Sequence, residues 1–265
     1  MHIYPIGEFT YRDGVAVIQL VFFVPFLILG AVLCFRHGFK RSDGWIAIVT
    51  LSILRVLASA FQLATIKYQN KSTLGGALIC QGIGLAPLTI LNMGMFIRLN
   101  KWVTIFPQRF FTVASIVVII GLALGIAGGW KSADSSDQST NGELKASVII
   151  FPAVYVIFMG LFGIFVPKWR DLPKGERGLL TCFGVGIPFM LARYLYSIIG
   201  DFSHHLRPQF SQLTGNVTIL LCMAVLEEIF VVLCFVVAGM RLEKLPQAIR
   251  EDKPGSGNSE LGIRY

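Results

Sequence analysis

Long apolar runs fill this chain, at about residues 14–35, 44–66, 75–97, 110–129, 147–166, 178–199 and 214–239. Lipid offers no partner to an exposed backbone amide, so a segment that crosses it must be a helix or part of a closed barrel. The runs are continuous rather than alternating, which excludes barrel strands. At about 1.5 Å of rise per residue, each is long enough for a hydrocarbon core of roughly 30 Å. The sequence therefore predicts an all-α fold, a polytopic bundle of seven transmembrane helices with the lipid bilayer as its partner.

Composition leaves little room for anything else. The chain is 54% hydrophobic and 14% charged, with a mean hydropathy of +0.68, whereas soluble domains carry about a quarter charged residues. We read residues 1–13 as an N-terminal outside segment, 14–240 as the membrane domain and 241–265 as a cytosolic, disordered tail. The segment 130–146, rich in Ser, Asp and Gly, reads as a surface loop. The first apolar run is too long for a cleavable signal and reads as an anchor that stays.

The net charge of +8 is explained by topology. Of the 23 Lys and Arg residues, 15 lie in 36–43, 98–109, 167–177 and the tail from Arg241, and 6 lie on the alternate side. This bias predicts an outside or lumenal N-terminus and a cytosolic C-terminus. No basic face with interleaved aromatics is present, so nucleic acid is not an expected partner. Two sequons, at Asn70 and Asn216, fall on the predicted outside and are candidate glycosylation sites. The five cysteines sit in apolar segments without metal-ligand spacing and read as packing residues. His204 and His205 lack a spaced third ligand and read as surface histidines. No metal or other cofactor is expected.

Four charged residues lie inside the apolar runs: Arg55, Arg193, Glu227 and Glu228. A charge at mid-bilayer costs about 2.5–3.5 kcal/mol even on the lenient insertion scale, so each needs a partner or a use. Ser52, Arg55, Ser59 and Gln62 follow steps of three and four and form one helical stripe. Glu227 and Glu228 point about 100° apart. One is expected to pair with Arg55, and the other to turn toward a neighbouring helix. Gln81 and Asn92 share a face of the third span and read as interhelical hydrogen-bonding groups. Arg193, Tyr196, Ser197 and Asp201 share a face near the outer end of the sixth, with Arg193 and Asp201 as an expected pair. Pro25, Pro87, Pro152 and Pro188 can kink their helices and shape a cavity. Phe151, Tyr155, Phe158, Phe189 and Tyr194 are candidates for its wall.

The stretches Thr10 to Ala16, Arg36 to Phe39, Gly44-Trp45-Ile46, Arg55 to Gln62, Gly82 to Leu88, Ala192 to Ser197 and Leu226 to Phe230 carry a resemblance. Over about residues 10–245 the chain resembles a fungal family of multi-pass membrane proteins that carries a domain of unknown function. The resemblance implies a seven-helix fungal membrane protein and assigns no activity; the expected membrane is the endoplasmic reticulum or the plasma membrane. Some such proteins are similar to partners in secondary-metabolite gene sets, where small seven-helix enzymes cyclise isoprenoids with intramembrane acids. No acid stands in the second span here; Arg55 occupies it.

Three functions stay open. The first is a membrane-embedded enzyme, like a terpene cyclase, on an apolar isoprenoid-like small molecule, with Glu227 or Glu228 as general acid. Arg55, Ser59, Gln62, Asn92, Arg193, Tyr196 and Asp201 would then form its pocket and ion pairs. The second is a receptor-like or sensor protein in which the ion pair is a latch. The third is a transporter or scaffold in which it is structural.

Overall fold

The computed structural model describes residues 7–37, 44–134, 141–203, 205–212 and 214–243. His204, residues 135–140 of the expected surface loop and the tail from residue 244 lie outside the described residues. Among the described residues every regular element is helical. Seven helices are long and apolar enough to cross a membrane: α1 (Tyr11–His37), α2 (Trp45–Ala64), α3 (Ser72–Val103), α4 (Gln108–Ser132), α5 (Gly142–Asp171), α6 (Lys174–Phe202) and α7 (Val217–Arg241). The all-α seven-helix expectation therefore holds. With seven crossings the chain enters at one face, here the N-terminal face, and leaves at the opposite, C-terminal face.

Neighbours in sequence pack as neighbours in space, and α7 returns to α1 to close the ring. The C-terminal half of α3 touches α2, α4, α5 and α6, and so runs through the middle of the bundle. The apolar stretch of α4 is only 17% buried against 50% for that of α3; Val113, Ile116, Ile119 and Ile120 of α4 face outward. An apolar exterior and an interior holding the polar groups is the arrangement lipid requires.

Several helices run further than their apolar runs. Helix α1 starts at Tyr11, which places Arg12 and Asp13 inside it and buries both. Asp13 accepts from the backbone N–H of Thr10 (2.8 Å) and from its hydroxyl (2.6 Å), so the Asp13 side chain caps the Thr10 N–H and starts the helix early. Helix α3 continues through Arg98 to Val103, and α6 begins at Lys174, before Glu176.

Of the four prolines in spans, Pro25, Pro152 and Pro188 sit in continuous helix. Only Pro87 accompanies a break. Helix α3 is interrupted at Gly84, between Lys71–Ile83 and Leu85–Val103. Pro87 has no N–H for the Ile83 carbonyl four residues earlier, which weakens the helix there.

Small residues set the closest helix approaches. Gly44, at φ 94°, leads into α2, and a β-carbon on it would stand 3.0 Å from the Cα of Gly94 in α3. On Gly128 of α4, a β-carbon would stand 2.5 Å from the backbone nitrogen of Leu144 in α5, so only glycine permits that approach. Gly128→Val is expected to force α4 from α5 and lower the thermal unfolding midpoint in detergent. Gly163→Val, where the added atoms meet open space, is expected to leave it unchanged; equal effects would contradict this packing.

Candidate functional site

Glu228 is the centre of the buried polar constellation. Arg55 of α2 donates to both its oxygens, Nε to Oε2 and Nη2 to Oε1, each at 2.5 Å. Arg193 of α6 donates from Nε to Oε1 at 2.8 Å. All three side chains are at most 1% exposed. One carboxylate thus binds α2, α6 and α7 together, by the bidentate and end-on geometries that make charge-assisted hydrogen bonds strong. The tie holds two guanidiniums and one carboxylate, an excess of one positive charge.

The remaining N–H groups of Arg55 are absorbed by the break in α3. Nη1 donates to the Gln81 carbonyl at 3.0 Å and, more weakly, to that of Cys80 at 3.5 Å. A β-carbon on Gly84 would fall on the guanidinium itself. The glycine therefore makes the space that Arg55 fills, and α3 joins the tie through its backbone. On Arg193, Nη1 donates to the Ser197 hydroxyl one turn further along α6, at 2.6 Å.

A short π-helical turn, Leu221–Val225, precedes the two acids in α7. Such turns insert one residue and rotate the rest of the helix by about 100°. Both acids are buried, Glu228 at 1% exposure and Glu227 at 9%. Glu227 Oε2 has no hydrogen-bond partner among the described residues.

The other sequence-derived candidates serve different contacts. Ser59 donates to Gln19 Oε1 of α1 at 3.2 Å. Gln62 donates to Asp13 Oδ1 at 3.2 Å, so it braces the start of α1. Asn92 donates to the Leu88 carbonyl of its own helix at 2.7 Å. Spacing along the sequence pairs Arg193 with Asp201, yet Arg193 bonds to Glu228 and Ser197, deeper in the bundle. Asp201 and Tyr196 instead line a cavity. Asn70 and Asn216 are exposed at the N-terminal face, and the Asn216 side chain caps α7 by accepting from the Thr218 N–H at 2.9 Å. His205 is exposed.

That cavity, of about 370 Å³, lies in the N-terminal half of the bundle between α3, α4, α5 and α6. Leu78, Ile83, Leu122, Val148 and Phe151 give it aliphatic and aromatic walls, while Ser147, Ser197, Tyr196 and Gln212 contribute polar groups. Its size and mixed lining are those of a small-molecule site. Of the five aromatic residues expected to wall a pocket, only Phe151 does so. Tyr155 and Tyr194 pack against each other at 5.2 Å with tilted rings, Phe158 packs on Phe96, and Phe189 packs on Phe230. Neither Glu227 nor Glu228 is among the described lining residues.

Two further arginines are not evident from the sequence. Arg12 donates to the carbonyls of Gln212 (2.5 Å) and Gly215 (2.6 Å), and thereby pins the segment between α6 and α7 across the cavity. Arg98 of α3 grips Glu176 of α6 with Nη2 to Oε1 at 2.7 Å and Nε at 3.0 Å from both oxygens. Its Nη2 also donates to the Glu243 carbonyl at 3.0 Å, and its Nη1 stands 3.5 Å from His37 Nδ1. By position in the sequence, Arg98 and Glu176 belong with the loop charges that set orientation. The signal that could have found Arg12 is the Thr10-x-x-Asp13 spacing, which moves the helix start outward past it.

The tie predicts an order of damage. Glu228→Gln leaves two buried guanidiniums facing each other and is expected to cost most, about 3–5 kcal/mol, as for a broken buried pair. Arg55→Met also strips donors from the α3 carbonyls and should come second. Arg193→Met leaves a neutral Arg55–Glu228 pair and should cost least. Thermal unfolding of purified protein in detergent checks the order; Arg193→Met as the worst of the three would contradict it.

No curated protein matches the chain, and no solved structure does. A family model described as a domain of unknown function (DUF7702) matches residues 9–245. That range takes in all seven spanning helices and the Arg55, Arg193 and Glu228 tie, and the chain belongs to this family.

Proposed function

We propose that this seven-helix membrane protein is receptor-like: it binds an apolar, isoprenoid-like small molecule in the N-terminal-face cavity and senses its occupancy through the buried ion tie. One contact carries the reading. Ser197 lines the cavity and also accepts from Arg193 at 2.6 Å, and Arg193 leads to Glu228 and Arg55. A ligand that moves Ser197 therefore biases the packing of α6 against α7 and α2. A conformational response needs such a difference in contact between states.

The setting is also a proposal. The resemblance to fungal proteins favours the endoplasmic reticulum or plasma membrane and a part in secondary metabolism. The lysine and arginine bias favours a lumenal or outside N-terminal face. Asn70 would then be glycosylated, whereas Asn216, capping α7 beside the membrane, would not. Asn70→Gln is expected to remove an endoglycosidase-sensitive gel shift; a shift that survives in it would count against this assignment.

A second reading, acid catalysis on the same class of substrate, draws support from the unpartnered oxygen of Glu227. The geometry favours the receptor-like reading because Glu228 is committed to two guanidiniums and neither acid borders the cavity among its described lining.

Gly82 lines the cavity, and a β-carbon on it would meet nothing nearer than Gln212 Oε1 at 3.6 Å. Gly82→Phe should therefore fill the cavity with the fold intact. Apolar small molecules extracted from host membranes are expected to raise the unfolding midpoint of the wild type and not that of Gly82→Phe. Equal shifts in both would contradict the binding site. Glu227→Gln is expected to keep ligand binding and the host metabolite profile; loss of a host product with binding retained would favour the enzyme.

A further inference from the structure

The cavity wall contains two buried polar atoms that no described residue pairs. Tyr196, on α6, is 1% exposed, and its hydroxyl has no hydrogen-bond partner among the described residues. Gln212, in the segment after α6, has an amide Oε1 in the same condition. Both residues line the cavity. The Tyr196 ring packs on Phe210 at 5.9 Å, two residues before Gln212, whose backbone carbonyl is held by Arg12.

An unpaired buried polar group costs about 1–3 kcal/mol. The two here are complementary in kind. A tyrosine hydroxyl donates or accepts, and an amide oxygen only accepts. A ligand hydroxyl satisfies both by accepting one hydrogen bond and donating another. A hydrocarbon does neither, and an ether or ester oxygen accepts only. The acid of the wall, Asp201, is already engaged within the protein, so the wall does not call for an amine. Helices α4 and α5 contribute Leu122, Val148 and Phe151 to the cavity, with Ser147 among them.

Resting on the cavity reading above, we infer that the ligand is an apolar alcohol, its hydroxyl seated between Tyr196 and Gln212 and its hydrocarbon body against α4 and α5. The Tyr196 hydroxyl donates to the ligand oxygen, and the ligand hydroxyl donates to Gln212 Oε1. The hydrocarbon body can be branched and terpenoid or a linear chain; both present the same hydroxyl to the same two atoms.

The test is a matched ligand series on the purified full-length protein, read by thermal shift and by competition for one labelled alcohol. The probes are farnesol, farnesyl methyl ether, farnesene and dodecan-1-ol. At least one alcohol is expected to bind about five- to a hundredfold more tightly than the ether and the hydrocarbon, as one or two buried hydrogen bonds allow. Farnesol and dodecan-1-ol tell the branched from the linear body. Tyr196→Phe and Gln212→Leu are each expected to reduce the alcohol to the affinity of the ether. Because Tyr196→Phe removes a group without a partner among the described residues, the ligand-free variant should unfold no earlier than the wild type.

Equal binding of farnesol, its ether and farnesene, all lost in Gly82→Phe, would overturn the hydroxyl assignment and leave the cavity as a binding site. So would an alcohol preference unchanged in both Tyr196→Phe and Gln212→Leu, as expected if water satisfies these atoms. Failure of every probe to bind the wild type would overturn this inference together with the cavity reading.

Discussion

A guanidinium in the middle of a bilayer has no solvent to fall back on, and the whole bundle is arranged around that fact. Glu228 accepts three N–H bonds, two from Arg55 and one from Arg193. Arg55 spends another on the Gln81 carbonyl, and Arg193 spends another on Ser197. Inside a low-dielectric interior such contacts are strong when complete and costly when partial. Their partners come from α2, α3, α6 and α7, so satisfying one charge fixes the relative depth and rotation of four helices. Burial of apolar surface cannot supply that register, because lipid tails are as apolar as the side chains facing them.

Two more arginines repeat the device near the faces. At the C-terminal face Arg98 links α3, α6 and the residues after α7. At the N-terminal face Arg12 holds backbone carbonyls 200 and 203 residues away in sequence. The three sets lie at different depths, and α3 and α6 take part in both the middle and the C-terminal one. Between the middle and the N-terminal sets lies the cavity, where α3 to α6 do not close on one another. Its wall shares Ser197 with the middle set and Gln212 with the upper one. A molecule bound there would touch both.

Much of this is legible in the sequence, for a simple reason: charges inside apolar runs stand out. Arg55, Arg193, Glu227 and Glu228 can be identified without coordinates, and the step from Ser52 to Gln62 marks the inward face of α2. The pairing of Arg193 is not legible. Spacing along α6 shows that Arg193 and Asp201 share a face, but not that Glu228 of α7 stands opposite. The break at Gly84 is hidden because three other prolines in spans leave their helices continuous, and only Pro87 coincides with a glycine that admits a guanidinium. Arg98 and Glu176 sit at the ends of runs, where basic residues normally report topology. Arg12 and Asp13 are hidden because a capping acid ahead of an apolar run looks like a polar tail. Helix ends are where hydropathy is weakest as a guide, and they hold two of the three arginine sets.

That the three buried charges act as one unit is tested most directly by a double-mutant cycle between Arg193 and Glu228. Unfolding free energies of the wild type, Arg193→Met, Glu228→Gln and the double variant are needed. The double variant is predicted to be more stable than Glu228→Gln alone, with a coupling of about 0.5–3 kcal/mol, because removing Arg193 relieves a guanidinium left without its acid. Additive losses in the double variant would contradict a shared unit.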